Sequence, residues 1–310
     1  ALIQAGKNSP WWNDKIVFVT DSQASAGWNL DNAPSSDFLC HGGYMNYGIY
    51  DSMVAPFTTP EALAEFVLTI PWQQWTEPNK TLDNVLAARS RGIEPSVYEG
   101  GNFHTTFGDA PVSLINDIVS GYVGGVSAVH NMLILQTLYN CRYQNSFNLA
   151  QRSFSPGGSF GDIDGSVLLW GGLLSMREEN RRYRPRFLIK AAVNNAIMGD
   201  QMEVQQSGSE ASEVNSVSGL YSPSYGNRLE KDLIASTIDL KPIASYGYAD
   251  GSQRGLILIN QDTSSPRQVR IEFAEVTTGS ANWWRVAPSD LFADNEDQAS
   301  APQVVLESGQ

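Results

Sequence analysis

The sequence predicts an α/β region over residues 1–200 followed by an all-β region over residues 201–310, and three observations predict it. Short apolar runs alternate with helical patterns through the first two hundred residues, as βα units do. A stretch rich in Ser, Gly, Asn and Glu, residues 205–228, then reads as exposed loop. From about Ile234 short β-type runs recur with turn signals between them, the spacing of a β-sandwich. No internal repeat crosses this order.

Ile16-Val17-Phe18-Val19 is a continuous apolar run, typical of a parallel strand buried on both faces, and Thr20-Asp21-Ser22-Gln23 ends it. Residues 49–57 read as the next strand. Thr59-Pro60-Glu61-Ala62 opens a helix, with Thr as N-cap, Pro at the first position and Glu in the first turn. Residues 82–88 predict another helix, closed by Arg91-Gly92. Residues 93–98 predict a strand that Glu99-Gly100-Gly101 leaves abruptly. Residues 127–139 are apolar at helical spacing, and residues 147–151 read as a strand before a Gly- and Ser-rich loop through Gly165. Residues 186–198 predict a helix stopped by Gly199. In the second region the β-type runs are residues 243–248, 255–260, 268–273 and 283–286.

The first region supplies about four βα units, whereas a closed (β/α)8 barrel needs eight strands. Four such units could form an open sheet. A half-barrel alone would expose a wide apolar edge. The barrel reading therefore expects strands 1 to 4 from a second chain or from a segment outside these 310 residues, which open without an initiator Met or a signal-peptide pattern. It also expects the sandwich to be incomplete.

Composition narrows the partners. The formal net charge is −13, so a phosphate backbone or an anionic membrane meets no basic surface, and nucleic acid is excluded as a partner. No run of eighteen apolar residues offers a membrane span. Aromatics reach 10% with 8 Trp, which suits a protein that handles sugars, although large aromatics also build cores. Cys40 and Cys141 allow one disulfide at most. His41, His104 and His130 show no metal-ligand spacing. Gly157-Gly158-Ser159-Phe160-Gly161 lacks the Gly-Lys-Ser/Thr of a phosphate loop, and no nucleophile elbow is present. The sequence thus calls for no cofactor and no metal.

A carboxylate at the C-terminal end of a barrel strand is placed for acid, base or nucleophilic work. Glu99 meets that description, and Tyr98-Glu99-Gly100-Gly101 with His104 beyond it resembles the strand-7 nucleophile segment of retaining (β/α)8-barrel glycoside hydrolases. Residues 17–28 resemble strand 5 of those proteins, residues 51–57 strand 6, and residues 165–173 with Trp170-Gly171 the strand-8 loop. The last hundred residues resemble the β-sandwich that often follows. The chain accordingly looks like the C-terminal half of a (β/α)8 barrel with a β-sandwich behind it.

The resemblance implies a hydrolase acting on polysaccharide or oligosaccharide with Glu99 as nucleophile. It implies substrate-binding roles for Tyr98, His104, Trp170, Trp28, Phe57 and Gln23. In those families the acid/base Glu ends strand 4, so it would lie outside these residues; Asp21, Asp51 and Glu94 are candidates by type only. The implied location is extracellular or periplasmic. Two alternatives are a non-catalytic surface or filament protein built on the same fold, and a carbohydrate-binding protein.

Overall fold

A computed structural model describes residues 2–12, 17–22, 27–45, 49–76, 80–103, 110–150, 153–154, 167–168, 171–174, 182–208, 212–215, 237–274, 279–297 and 299–310. After the short helix α1 (Leu2–Lys7), strand β1 (Val19–Ser22) leads through α2 (Gly27–Asn32) to β2 (Phe38–Met45). Helices α3 (Asp51–Val54), α4 (Pro60–Thr76) and α5 (Lys80–Ser90) separate β2 from β3 (Glu94–Phe103). Helices α6 (Val112–Ser120) and α7 (Tyr122–Tyr139) follow.

Strands β1, β2 and β3 pair in parallel and in chain order. The sheet continues through single bridges. Val97 pairs in parallel with Gln144, and Ala150 with Leu173. The amide of Val97 donates to Tyr143 O at 2.9 Å, that of Asn145 to Val97 O at 3.0 Å, and that of Leu173 to Leu149 O at 2.8 Å. Five parallel segments therefore follow one another in sequence order, without the reversal that marks a doubly wound sheet.

Local chemistry explains the helices that were legible. Thr59 Oγ accepts the amide of Ala62 at 3.2 Å, the N-cap that the sequence predicts for α4. Gly92 stops α5 at φ +72°, where the Ile93 amide reaches back to Ala88 O at 3.0 Å. Helix α8 (Pro185–Asn194) begins on Pro185 and ends sooner than the sequence reading, because Ala196 and Ile197 turn back onto Val193 O.

Four expectations change. Residues 51–57 are not a strand: α3 starts at Asp51, and the second strand is β2. The apolar positions Ile49, Met53, Val54 and Phe57 fit helical spacing, and His41-Gly42-Gly43 hides β2 from an apolar-run reading. Strand β1 begins only at Val19, and Val17 and Val19 are exposed, since β2 is its one neighbour among the described residues. Strand β3 does not stop at Tyr98 but runs on to Phe103. Residues 268–273 form no strand; Val269, Ile271 and Phe273 stand exposed.

In the C-terminal region β6 (Asp200–Met202), β9 (Ile243–Asp250) and β10 (Gln253–Asn260) form an antiparallel sheet with β9 in the middle. Short ladders β4 (Ser153–Phe154) with β5 (Val167–Leu168), β7 (Ser212–Asn215) with β8 (Thr237–Leu240), and β11 (Trp283–Arg285) with β12 (Glu307–Gly309) complete the elements described. Residue 200 is where the chain enters β6, yet the core crosses it. Tyr246, Tyr248, Ile257 and Ile259 share one cluster with Phe66, Val67, Val129, Leu133 and Ile189. Among the described residues no single helix is long and apolar enough to cross a membrane; α6 and α7 meet both conditions only together, and they are bent by 56°.

Candidate functional site

Register decides where Glu99 points. Phe38 to His41 of β2 pair with Glu94 to Val97 in step, and then Gly42 pairs with Glu99. Tyr98 is the extra residue, a bulge in β3. Val97 lies in a cluster with Val85, Ile134, Leu135 and Cys141, on the face covered by α5 and α7. Ser96 lies on the other face, its hydroxyl 2.8 Å from the Cys40 thiol. In an unbroken strand Glu99 would share the face of Val97, because side chains two apart point the same way. The inserted Tyr98 moves it across, beside Cys40, Gly42 and Tyr44.

The glycines serve this approach rather than a sharp exit. A Cβ on Gly100 would stand 2.6–2.8 Å from the backbone of Gly43, and a Cβ on Gly43 would stand 2.7 Å from Val97. The two strands touch backbone to backbone just beyond Glu99. Asn131 of α7 then holds Gly43 O at 3.1 Å.

Tyr44 is buried on the face that the register gives to Glu99, near enough for the Glu99 charge to act on its phenol. Burial first, then the charge of Glu99 and the nearby Tyr98, raise the Tyr44 phenol far above its ordinary range; the Arg186 cation opposes them. Arg186 is 4% exposed and its Nη1 has no hydrogen-bond partner. Burial, with help from Arg184, pulls its guanidinium down to about 9. One turn further, Lys190 is lowered to about 7 by burial and by Arg186, and it donates to Ser146 Oγ.

The segment that carries Arg186 is clamped. Arg184 Nε and Nη2 reach the Glu296 carboxylate at 2.6 and 3.1 Å, and Nη1 donates to Gly171 O at 3.0 Å. Asn295 Nδ2 donates to Tyr183 O and Val304 O, both at 2.8 Å. From below, Gly125 of α7 leaves the space that α8 needs: a Cβ there would be 2.9 Å from the Arg186 amide nitrogen.

Of the residues named from the sequence, Glu99 and Tyr98 come together in the bulge. Phe57 stacks on Phe66 at 4.7 Å, within the core that α4 builds. Trp28 lies in α2. Gln23, His104 and Trp170 lie outside the described residues. Among carboxylates considered by type, Glu94 is at the far end of β3, about 16 Å of strand from Glu99. Asp51 is exposed on α3. Asp21 pairs in register with Cys40 and so faces the same side as Glu99. Cys40 and Cys141 are both free and sit on opposite faces of the sheet. Sequence reasoning missed Tyr44, because only strand register brings it to the face of Glu99.

Among the described residues no group of three His, Cys, Asp or Glu is arranged to hold a metal ion. His41 and His130 are buried, and burial lowers them to about 4 and about 3. What the site offers is a partly open carboxylate on the same face as a buried phenol. Compared with known protein families and with curated proteins, the chain matches no family and no curated protein.

Proposed function

We propose that this chain contributes the nucleophile half of a retaining glycoside hydrolase acting on polysaccharide or oligosaccharide, with Glu99 as the nucleophile. The observation that carries the reading is the bulge at Tyr98, which turns Glu99 onto the face of the buried Tyr44. A nucleophilic carboxylate must be ionised and must keep one oxygen aimed at the anomeric carbon. A phenol on the same face is placed to donate to the carboxylate and restrain its rotation.

Two further points support it. The parallel segments follow chain order, as they do in a (β/α)8 barrel, whose working groups stand toward the C-terminal ends of strands. Tyr44 is the penultimate residue of β2, and Glu99 lies in the second half of β3. In this reading the acid/base comes from strands 1 to 4, supplied by another segment or chain, and the protein works on carbohydrate outside the cytoplasm.

Activated 2-deoxy-2-fluoroglycosides test the assignment without that acid. Fluoride or dinitrophenolate leaves with its electron pair and needs no proton, while the carboxylate forms an ester to the anomeric carbon. Incubation with a panel of such sugars should add one glycosyl mass to the peptide that contains Glu99. Glu99→Gln should abolish the addition. No addition across the panel, or addition at another residue, sinks the reading.

A further inference from the structure

We propose that residues 268–273 pair with the same residues of a second copy of this chain, as two antiparallel strands whose two-fold axis passes through Ile271.

The segment has the make-up of a strand and no strand beside it. Val269, Ile271 and Phe273 alternate with Gln268, Arg270 and Glu272, the period of a strand with one apolar face. From Ser265 to Phe273 the backbone runs without a turn or a bend. Arg270 Nη2 meets Glu272 Oε1 at 2.6 Å, which puts the two charges on one face and the three apolar residues on the other. Among the described residues no backbone amide or carbonyl of 268–273 finds a hydrogen-bond partner. Both faces are open as well: Ile271 is 50% exposed, and the side chains of Arg270 and Glu272 are 87% and 69% exposed. A free strand edge with an apolar face is a template for another strand.

Charge selects which strand. In an antiparallel pair centred on Ile271, that residue faces its own copy, Arg270 faces the partner's Glu272, and Val269 faces the partner's Phe273. Symmetry makes each match twice. Every charge then has an opposite one two residues along its own strand and another across the pair. A register one residue off in either direction sets both charges against apolar residues. Two residues off, Arg270 meets Arg270 or Glu272 meets Glu272, and parallel in-register pairing does both. Charges on a strand edge ordinarily keep neighbours away. Here they reject the neighbouring registers and accept one.

Size sets the strength. A pair of six-residue strands covers less than the roughly 1,200 Å² at which stable interfaces begin, so association is weak and half complete at about 100 μM. The net charge of −13 on each copy adds a general repulsion, which salt at about 150 mM screens beyond about 8 Å.

Sedimentation equilibrium at that salt, over chain concentrations from about 10 to about 500 μM, reads the association directly. The native chain should fit a monomer–dimer equilibrium. Arg270→Glu and Glu272→Arg should each raise the dissociation constant by about 10-fold or more, because like charges then face across the pair. Both changes in one chain should bring it back to within about threefold of the native value. An equimolar mixture of the two single variants should dimerise at least as strongly as the native chain, since each supplies the sign the other lacks. Ile271→Lys brings two ammonium groups together on the axis and should leave monomer. All three positions are exposed, so the variants keep the fold. A native chain that stays monomeric at about 500 μM overturns the proposal. So does a dimer indifferent to Ile271→Lys, or single charge variants that weaken it without rescue in the mixture.

Discussion

Tyr44 of β2 and Glu99 of β3 stand on the same face of the sheet, and they do so because β3 bulges at Tyr98. A hydrogen bond to a charged acceptor contributes about 1.5–3 kcal/mol. Tyr44→Phe should therefore slow fluoroglycoside trapping at Glu99 by about 10- to 100-fold while the fold persists. An unchanged trapping rate would remove Tyr44 from the site.

The bulge makes a sharper demand. Inserting one alanine between Tyr98 and Glu99 should advance Glu99 to the register of Gly43, on the face of Val97, against Val85, Ile134, Leu135 and Cys141. An unpaired carboxylate there would cost several kcal/mol and unfold the sheet or protonate the acid. Tyr98→Ala keeps the residue count and should leave the melting temperature within a few degrees. Equal melting of the two variants would show that the bulge has no part in aiming Glu99.

Two glycines should respond differently to the same methyl group. Gly100→Ala forces a Cβ to within 2.6–2.8 Å of Gly43 backbone and should destabilise by about 3 kcal/mol, with strand displacement. Gly92→Ala meets open space and suffers only the φ of +72°, about 1 kcal/mol. Urea denaturation of both measures the gap, and the reverse ranking would contradict the close approach of β2 and β3.

The Arg184–Glu296 pair should show strong coupling. Its side chains are 3% and 18% exposed, so removing either partner leaves a buried charge and costs about 3–5 kcal/mol. Arg184→Met with Glu296→Gln should cost clearly less than the sum of the singles. Additive losses in a double-mutant cycle would mean the pair contributes nothing as a pair.

Buried histidines set an acid limit. His130 and His41 are lowered to about 3 and about 4, from an ordinary value of 6.5. Above pH 6.5 both are neutral folded or unfolded, so they add no pH dependence. Below it the unfolded chain takes up two protons that the folded chain refuses, and stability falls by roughly 2.7 kcal/mol per pH unit until about pH 4. His130→Phe should halve that slope in denaturant titrations between pH 6.5 and 5. A slope unaffected by the substitution would assign the loss to other groups.

How legible all this was depends on range. The cap at Thr59 and the stop at Gly92 are local chemistry, and both appear where the sequence puts them. The β-type runs over residues 243–248 and 255–260 also become strands, β9 and β10. Strand β2 was hidden because His41, Gly42 and Gly43 break its apolar run, although His41 and Gly43 are buried. Glu99 could be singled out by its Tyr-Glu-Gly-Gly setting, but the direction of its side chain could not. A bulge is a relation between two strands, a step from partners 56 residues apart to partners 57 apart, and neither strand carries it alone. Tyr44 was missed for the same reason.

The amides of Tyr122 and Val123, at the start of α7, donate to Ala293 O and Leu291 O, each at 2.9 Å, and no side chain caps that helix end. During synthesis those carbonyls leave the ribosome some 170 residues after the amides they satisfy, a delay of roughly 10–35 s at ordinary elongation rates. The first turn of the helix that packs on α4 and α8 must wait that long, frayed or held by water. Contacts of such sequence separation also slow folding from the denatured state. The start of α7 is therefore completed late, by carbonyls from near the far end of the chain.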